Sequence, residues 1–233
     1  MKVAIMQPYF LPYIGYFQLI ANVDKFVLYD NIQYTKKGWI NRNRFLVNGK
    51  SQYFTIPIKR GSDYLSIQER ELSENRIKDI IKLKNKIYSL YCKAPEFKFV
   101  FPIVRNILDF EDVNLFGYIY HSIKEILFYL EIDTEILLAS NLHLNEKLKS
   151  QEKVLEICKV LKAKEYINPI GGTLLYTKDV FKEKNLKLYF LKTDNIVYSQ
   201  LENEFIPWLS IIDVMMFNSK EDIQGMLNKY TLI

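Results

Sequence analysis

The chain is poor in the residues that build metal centres and disulfide frameworks. Its 233 residues include two cysteines and two histidines. Cys92 and Cys158 lie far apart and belong to no CxxC or Cys/His cluster, so neither a disulfide framework nor a structural zinc site is expected. His121 and His143 have no second ligand at metal spacing. Unbroken apolar runs are missing too. Residues 3–23 carry no charge and follow Lys2, but Gln7, Pro8, Pro12, Gly15, Gln18 and Asn22 interrupt them and no small-residue cleavage site follows. A membrane span needs about 20 apolar residues, so neither a span nor a signal peptide is expected, and a cytoplasmic location is. The chain lacks G-x-G-x-x-G and GxxxxGK[ST], so no dinucleotide or P-loop fingerprint names a cofactor. Acidic residues are absent from 31–60, where Lys36, Lys37, Arg42, Arg44, Lys50, Lys59 and Arg60 give +7 against +5 for the whole chain. Such concentration points to an anionic partner: a phosphorylated small molecule or nucleic acid.

Aromatic residues, by contrast, are abundant, with 17 Tyr and 15 Phe. The pattern of elements reads as α/β. "KVAIM" (2–6), "KFVLY" (25–29), "TEILLAS" (134–140), "EYIN" (165–168) and "LKLYFLK" (186–192) are short buried strands. Helices are expected after Pro12, over 150–161, after Thr177, and after Ser219, which forms a capping pattern with Asp222. Strand–helix alternation predicts a mainly parallel sheet with helices on both faces. Asn48-Gly49 between "RFLV" and "QYFTI" predicts a β-hairpin near 43–58, with Lys50 and Ser51 as candidate extra loop residues. Helical spacing of Ile77, Ile80, Ile81, Ile87 and Tyr91, and of Phe116, Ile119, Ile123, Ile126, Leu127 and Leu130, predicts a helical insertion or subdomain near 73–130, with a helix kinked or delimited by Pro102 between them. The whole chain, 1–233, reads as a single domain built around that insertion.

Ligands of open α/β sheets bind beyond the carboxyl ends of the strands. "QPYFLPYIGYFQ" (7–18) falls there, after the first strand. Gly15 permits close backbone approach, and Gln7, Tyr9, Tyr13, Tyr16 and Gln18 offer the uncharged hydrogen-bonding groups that orient a sugar or nucleoside. The spacing Tyr13-Ile14-Gly15-Tyr16 also resembles the H-x-G-H turn of one class of nucleotidyltransferases. A phenol with a pKa of ~10 does not replace an imidazolium, so a related fold would run altered chemistry.

The segment from Asp30 to Arg44 is the strongest candidate site. Arg42 and Arg44 suit a pyrophosphate clamp, Lys36 or Lys37 a further point charge, and Trp39 a stacking surface. Asn41 and Asn43 suit hydroxyl recognition. An extended backbone places Arg42 and Arg44 on one face and Asn43 on the other. The alternative is a basic surface hairpin. Gly171-Gly172 forms either an anion nest or a plain turn. Asp213, inside the apolar run "WLSIIDVMMF", either caps an element, meets a cation such as Arg42, or acts as a base with a raised pKa. Asp30, at a strand's carboxyl end, is the second candidate base.

"MKVAIMQPYFLPYIGYFQLI", "YDNIQYTKKGWINRNR", "YINPIGGTLLY" and "FIPWLSIIDVMMFN" together resemble the WbqC-like family, over nearly the whole chain. The resemblance implies an enzyme of O-antigen and other surface polysaccharide biosynthesis. In that reading a glycyl or other aminoacyl group, or a simple acyl group, passes to the amine of a nucleotide-linked amino sugar. The resemblance also adds Tyr176, Tyr198, Gln200 and Ser210 to the substrate-binding candidates; the acyl carrier is not identifiable. Two other classes remain open: a nucleotidyltransferase-like enzyme acting on a nucleoside triphosphate, and an RNA-binding module that uses the basic patch with Trp39 and Tyr34. A shared crevice requires Arg42, Trp39 and the 7–18 loop to lie together.

Overall fold

Lys2–Met6 alternates its side chains between two apolar layers and forms β1. The computed structural model describes residues 1–145, 147–201 and 204–233. After β1 come α1 (Ile14–Ala21), β2 (Lys25–Leu28), β3 (Arg42–Val47), β4 (Lys50–Thr55), α2 (Arg76–Tyr91), α3 (Phe97–Leu108), α4 (Leu115–Leu130) and β5 (Glu135–Leu138). The chain continues through α5 (Ser150–Val160), β6 (Glu165–Pro169), α6 (Lys178–Glu183), β7 (Lys187–Thr193), α7 (Ile211–Phe217), α8 (Lys220–Met226) and β8 (Tyr230–Leu232).

Six strands form one sheet in the order β5-β2-β1-β6-β7-β8. β5, β2, β1, β6 and β7 pair in parallel, and β8 runs antiparallel on β7, with Leu191 opposite Leu232. The sheet is α/β and mainly parallel, as the strand–helix alternation predicts. β8 is the addition: three residues after a helix carry too short a pattern to read as a strand. The strand order reverses between β1 and β6, which puts a topological switch point beside the loop that follows β1.

Alternation across the pleat separates two cores. Ala4, Phe26, Leu28, Ile167 and Leu191 face one layer with α1, α2, α3, α4, α7 and α8. Val3, Ile5, Val27, Tyr166, Leu188 and Phe190 face the other, closed by α5 and by Phe181 of α6. Cys158 lies in this second layer, where burial pushes its thiol up to about 12.

The hairpin β3–β4 stands outside the sheet. Val47 pairs with Lys50, so the connection is the two residues Asn48 and Gly49 alone, and Lys50 and Ser51 belong to the strand. Their φ angles of 49° and 71° suit a primed turn, in which both central residues are left-handed. Phe45 and Phe54 stack at 5.0 Å and hold the inner face of the hairpin in the first core.

Between β4 and β5 the chain is helical. Asn114 caps α4 by accepting from Gly117 N–H at 3.0 Å, and Phe116, Ile119, Ile123, Ile126, Leu127 and Leu130 are all buried. α2 turns Ile80, Ile87 and Tyr91 inward, whereas Ile77 and Ile81 stay exposed: the helix buries a narrower stripe than its isoleucines suggest. Pro102 lies inside α3 rather than ending it. Val100, Val104, Ile107 and Leu108 of the same helix are buried against the core, which offsets the backbone bond that proline removes.

Candidate functional site

Three separate stretches meet at the carboxyl end of the sheet through their backbones. Phe10 N–H donates to Ile40 O at 2.9 Å, and Ser210 N–H to Arg44 O at 2.8 Å. Ile211 N–H donates to Pro12 O at 2.9 Å. Asn43 Nδ2 and Ser210 Oγ both donate to Leu11 O, each at 2.8 Å. The loop after β1, the base of the hairpin and the start of α7 are thus one hydrogen-bonded unit, but Arg42 and Trp39 are not among the residues that line the cavity faced by the 7–18 loop. Ser210 also caps α7, its Oγ accepting from Ile212 N–H at 3.3 Å.

On β3 the alternation is plain: Asn43 is buried, and Arg42 and Arg44 are half-buried on the opposite face. Both guanidinium groups approach Trp39, at 5.9 Å for Arg42 and 5.3 Å for Arg44, and Arg42 sits 4.7 Å over the Tyr53 ring. These are cation–π distances. Arg42 also donates to Gly38 O at 2.8 Å and to Lys37 O. Arg44 Nη2 donates to Trp208 O at 2.9 Å, while its buried Nε has no partner among the described residues. Asn41 spends its amide internally, accepting from Tyr34 O–H and donating to Ile56 O, both at 2.8 Å. Lys36 pairs with Asp63 at 2.7 Å, and Lys37 is exposed with a left-handed φ of 61°.

Much of the opening loop serves its own architecture. Gln7 accepts from Tyr16 O–H at its backbone carbonyl (3.0 Å) and from Tyr9 O–H at Oε1 (3.3 Å). Tyr16 is core, with its phenol pushed well above its ordinary value by burial; the same cause, with Tyr13 nearby, takes Tyr9 up to about 12. Gly15 leaves room for the ring of Tyr13, which fills the space a Cβ would take. Gln18 ties α1 to the last turn of the chain, donating to Met226 O and Lys229 O at 2.8 Å each.

Tyr13 faces a cavity of about 250 Å³ beyond the end of β7. That volume lies just under the range of small-molecule sites, which starts at roughly 300 Å³. Tyr13 and Trp208 form an aromatic wall, edge to face at 5.9 Å and 62°. Trp208 holds a left-handed φ of 62° and is 56 % exposed. This conformation costs a non-glycine residue about 1–2 kcal/mol, and such strain collects at ligand sites. Lys192, Thr193, Asp194 and Asn195 supply the polar side. Asp194 Oδ1 accepts from Thr231 Oγ1 at 2.9 Å. These four residues are absent from the sequence-based candidates. The signal was present: a polar run follows a buried parallel strand, the same rule that singled out residues 7–18 after β1.

Tyr198 also lines the cavity, and behind it lies Asp213, fully buried. Asp213 accepts from Tyr91 O–H at 2.8 Å, Tyr198 O–H at 2.7 Å and Gln200 Nε2 at 2.7 Å. Its neighbours are neutral donors, not Arg42. Desolvation holds its pKa above the ordinary carboxylate value even though all three donors pull the other way. Desolvation and the adjacent Asp213 carboxylate together raise the Tyr198 phenol far above its normal range.

The remaining candidates lie elsewhere on the sheet's edge. Asp30 is buried, accepting from Ser140 N–H at 3.0 Å and Ser140 Oγ–H at 2.6 Å. Neither Asp30 nor Asp213 lines the cavity. Gly171 and Gly172 form a 3-10 turn after β6, without the left-handed φ of an anion nest. Gly172 is required for space, since a Cβ there would meet Asn168 Oδ1. Tyr176 packs edge-on to Tyr166 and Phe181 in the second core. Among the described residues, no cluster of three His, Cys, Asp or Glu side chains is placed to hold a metal ion, and no helix is long and apolar enough to cross a membrane.

Fold and site define an α/β protein with a small cavity beyond the carboxyl end of a mainly parallel sheet. The chain belongs to the WbqC-like protein family, whose profile matches residues 7–225. It is 30 % identical over 221 residues to an uncharacterised protein of Mycobacterium tuberculosis, with 93 % of each chain covered. No solved structure matches it significantly.

Proposed function

We propose that the chain transfers an acyl or aminoacyl group, glycyl among them, onto the amine of a nucleotide-linked amino sugar during assembly of a surface polysaccharide. One observation carries the substrate class: the cavity beyond β7 combines an aromatic wall, Tyr13 and Trp208, with one carboxylate, Asp194. Aromatic faces suit the C–H face of a pyranose, and a carboxylate suits its ammonium group. Next to that wall, the half-buried guanidinium of Arg44, held to Trp208 O through Nη2 at 2.9 Å, suits an oxygen of the attached diphosphate. The acyl-transfer part comes from the family resemblance, which associates such chains with amino-sugar modification.

The amine must be neutral to attack the carbonyl carbon of the acyl donor. As the C–N bond forms and the bond to the donor's leaving group breaks, one amine proton passes to a base. Asp194 is the carboxylate that faces the cavity, so it receives that proton in this reading. Asp213 acts behind the wall: it fixes the Tyr198 hydroxyl and so the position of that ring.

A thermal-shift screen tests the reading. A ligand at 100 times its dissociation constant adds about 2.7 kcal/mol of stability. Nucleotide-linked amino sugars are expected to raise the melting temperature more than their neutral-sugar counterparts, and Asp194→Asn is expected to abolish the difference. If nucleoside triphosphates with magnesium shift the protein while every nucleotide sugar fails, a nucleotidyltransferase-like activity replaces this one.

A further inference from the structure

Arg70 is 3 % exposed, which is unusual for a guanidinium without a close counter-ion. Among the described residues its Nε has no hydrogen-bond partner and its one ion pair is to Asp63, at 4.0 Å. The group lies 4.9 Å over the Tyr34 ring. Its surroundings are firmly built. Tyr34 N–H donates to Leu65 O at 3.0 Å and Ile67 N–H to Ile32 O at 2.9 Å, which fastens the loop after β2 to residues 65–67. Arg70 itself is held at both backbone ends, donating to Ile67 O and accepting from Leu115 N–H.

The lid over this cation is different in character. Residues 61–63 are exposed, and an added Cβ at Gly61 would come within 3.1 Å of Arg70 Nη1. Asp63 bridges toward Arg70 from one side and Lys36 from the other, at 2.7 Å from Lys36. Both members of that pair are more than 60 % exposed, so water screens the bridge and it is a weak latch. Burying an incompletely paired cation is unfavourable, and a weak latch leaves most of that cost unmet. Lys36 and Arg42 add positive potential around Tyr34, the ring that Arg70 covers.

We propose that Arg70 and Lys36 form a binding site for a phosphoryl group, and that Asp63 is an exchangeable carboxylate that occupies the position until the phosphoryl oxygens displace it. A phosphoryl group offers three acceptor oxygens to the planar guanidinium fork and the lysine, where Asp63 reaches Arg70 only at 4.0 Å. The site is separate from the β7 cavity, none of whose lining residues belongs to it, so it stands whether or not the proposed transfer reaction is correct.

Isothermal titration of the full chain with inorganic pyrophosphate, and with inorganic phosphate as the smaller probe, reads the site directly. Asp63→Asn is expected to tighten pyrophosphate binding about 2- to 5-fold, the factor that corresponds to losing an exposed competing pair. Lys36→Gln is expected to weaken it about tenfold or more, as loss of a charge-assisted hydrogen bond does. Asp133→Asn, an exposed site with the same change in net charge, is expected to change nothing. Arg70→Lys keeps the buried charge, loses the fork, and is expected to bind more weakly while still unfolding cooperatively. The proposal is overturned if Asp63→Asn binds no more tightly than the parent, if Asp133→Asn gains as much, or if Lys36→Gln binds unchanged. Single-stranded RNA that binds tighter than pyrophosphate and loses that affinity in Lys36→Gln would also overturn it, in favour of a nucleic-acid surface.

Discussion

Asp213 and Asp30 are both carboxylates withdrawn from water, yet the protein treats them differently. Asp213 is enclosed by Tyr91, Tyr198 and Gln200, which belong to α2 and to the segment leading into α7. Among the described residues the Asp30 carboxylate leans on one neighbour, Ser140, which supplies a backbone N–H and a hydroxyl from just after β5. The first is a knot tying α7 and the segment before it to the distant α2; the second is a clasp between two adjacent strand ends. A buried acid therefore need not be a catalyst: the number and origin of its donors decide how much of the fold depends on it.

The sharpest way to test this contrast is to cut each carboxylate. Asp213→Ala takes the acceptor from the buried hydroxyls of Tyr91 and Tyr198, at about 1–3 kcal/mol each if nothing relaxes, and removes one acceptor from Gln200 Nε2, which also donates to Ile206 O at 3.1 Å. Partial relaxation sets the expected loss of unfolding free energy at roughly 3–5 kcal/mol, read by urea denaturation. Asp30→Ala strands one N–H and one rotatable hydroxyl, so about 1–3 kcal/mol is expected. Equal losses at the two positions would erase the distinction between knot and clasp.

A smaller effect concerns pH. The folded pKa of Asp213 is raised above its unfolded value by desolvation. The stability associated with its protonated form is fully present below the ordinary carboxylate range and is lost as pH rises through the raised folded value. Asp213→Asn cannot ionise, so its stability profile across that window is expected to be flatter than the parent's. Matching slopes would show that the three donors cancel the cost of burial.

Several features were legible in the residues because a local rule fixed them. Asn48-Gly49 selects its turn through left-handed φ, and the β3 alternation follows from an extended backbone, so Arg42 and Arg44 share a face without tertiary information. The parallel sheet follows from strands separated by helices. Features decided by contacts across the fold were not legible. Ile77 and Ile81 have core spacing, but both stay exposed because α2 buries only the stripe of Ile80, Ile87 and Tyr91. Asp213 in an apolar run announces a need for donors, and nothing local says that two tyrosines and a glutamine meet it. Arg70 is one charge among many until the fold sets it over the Tyr34 ring of the loop after β2. Asp194 follows the strand-end rule, but the cavity arises only where Tyr13 and Trp208 meet across the chain.

Trp208 stands in a backbone shape that favours glycine, and its carbonyl is gripped by Arg44 while its ring leans on Tyr13. The position is therefore caught between two masters. A glycine would let the main chain rest and remove the wall, whereas any other large residue would keep the wall and inherit the tension. Sequence drift at this spot has few comfortable exits, which makes 208 the first place to look when a relative turns out to handle a different molecule.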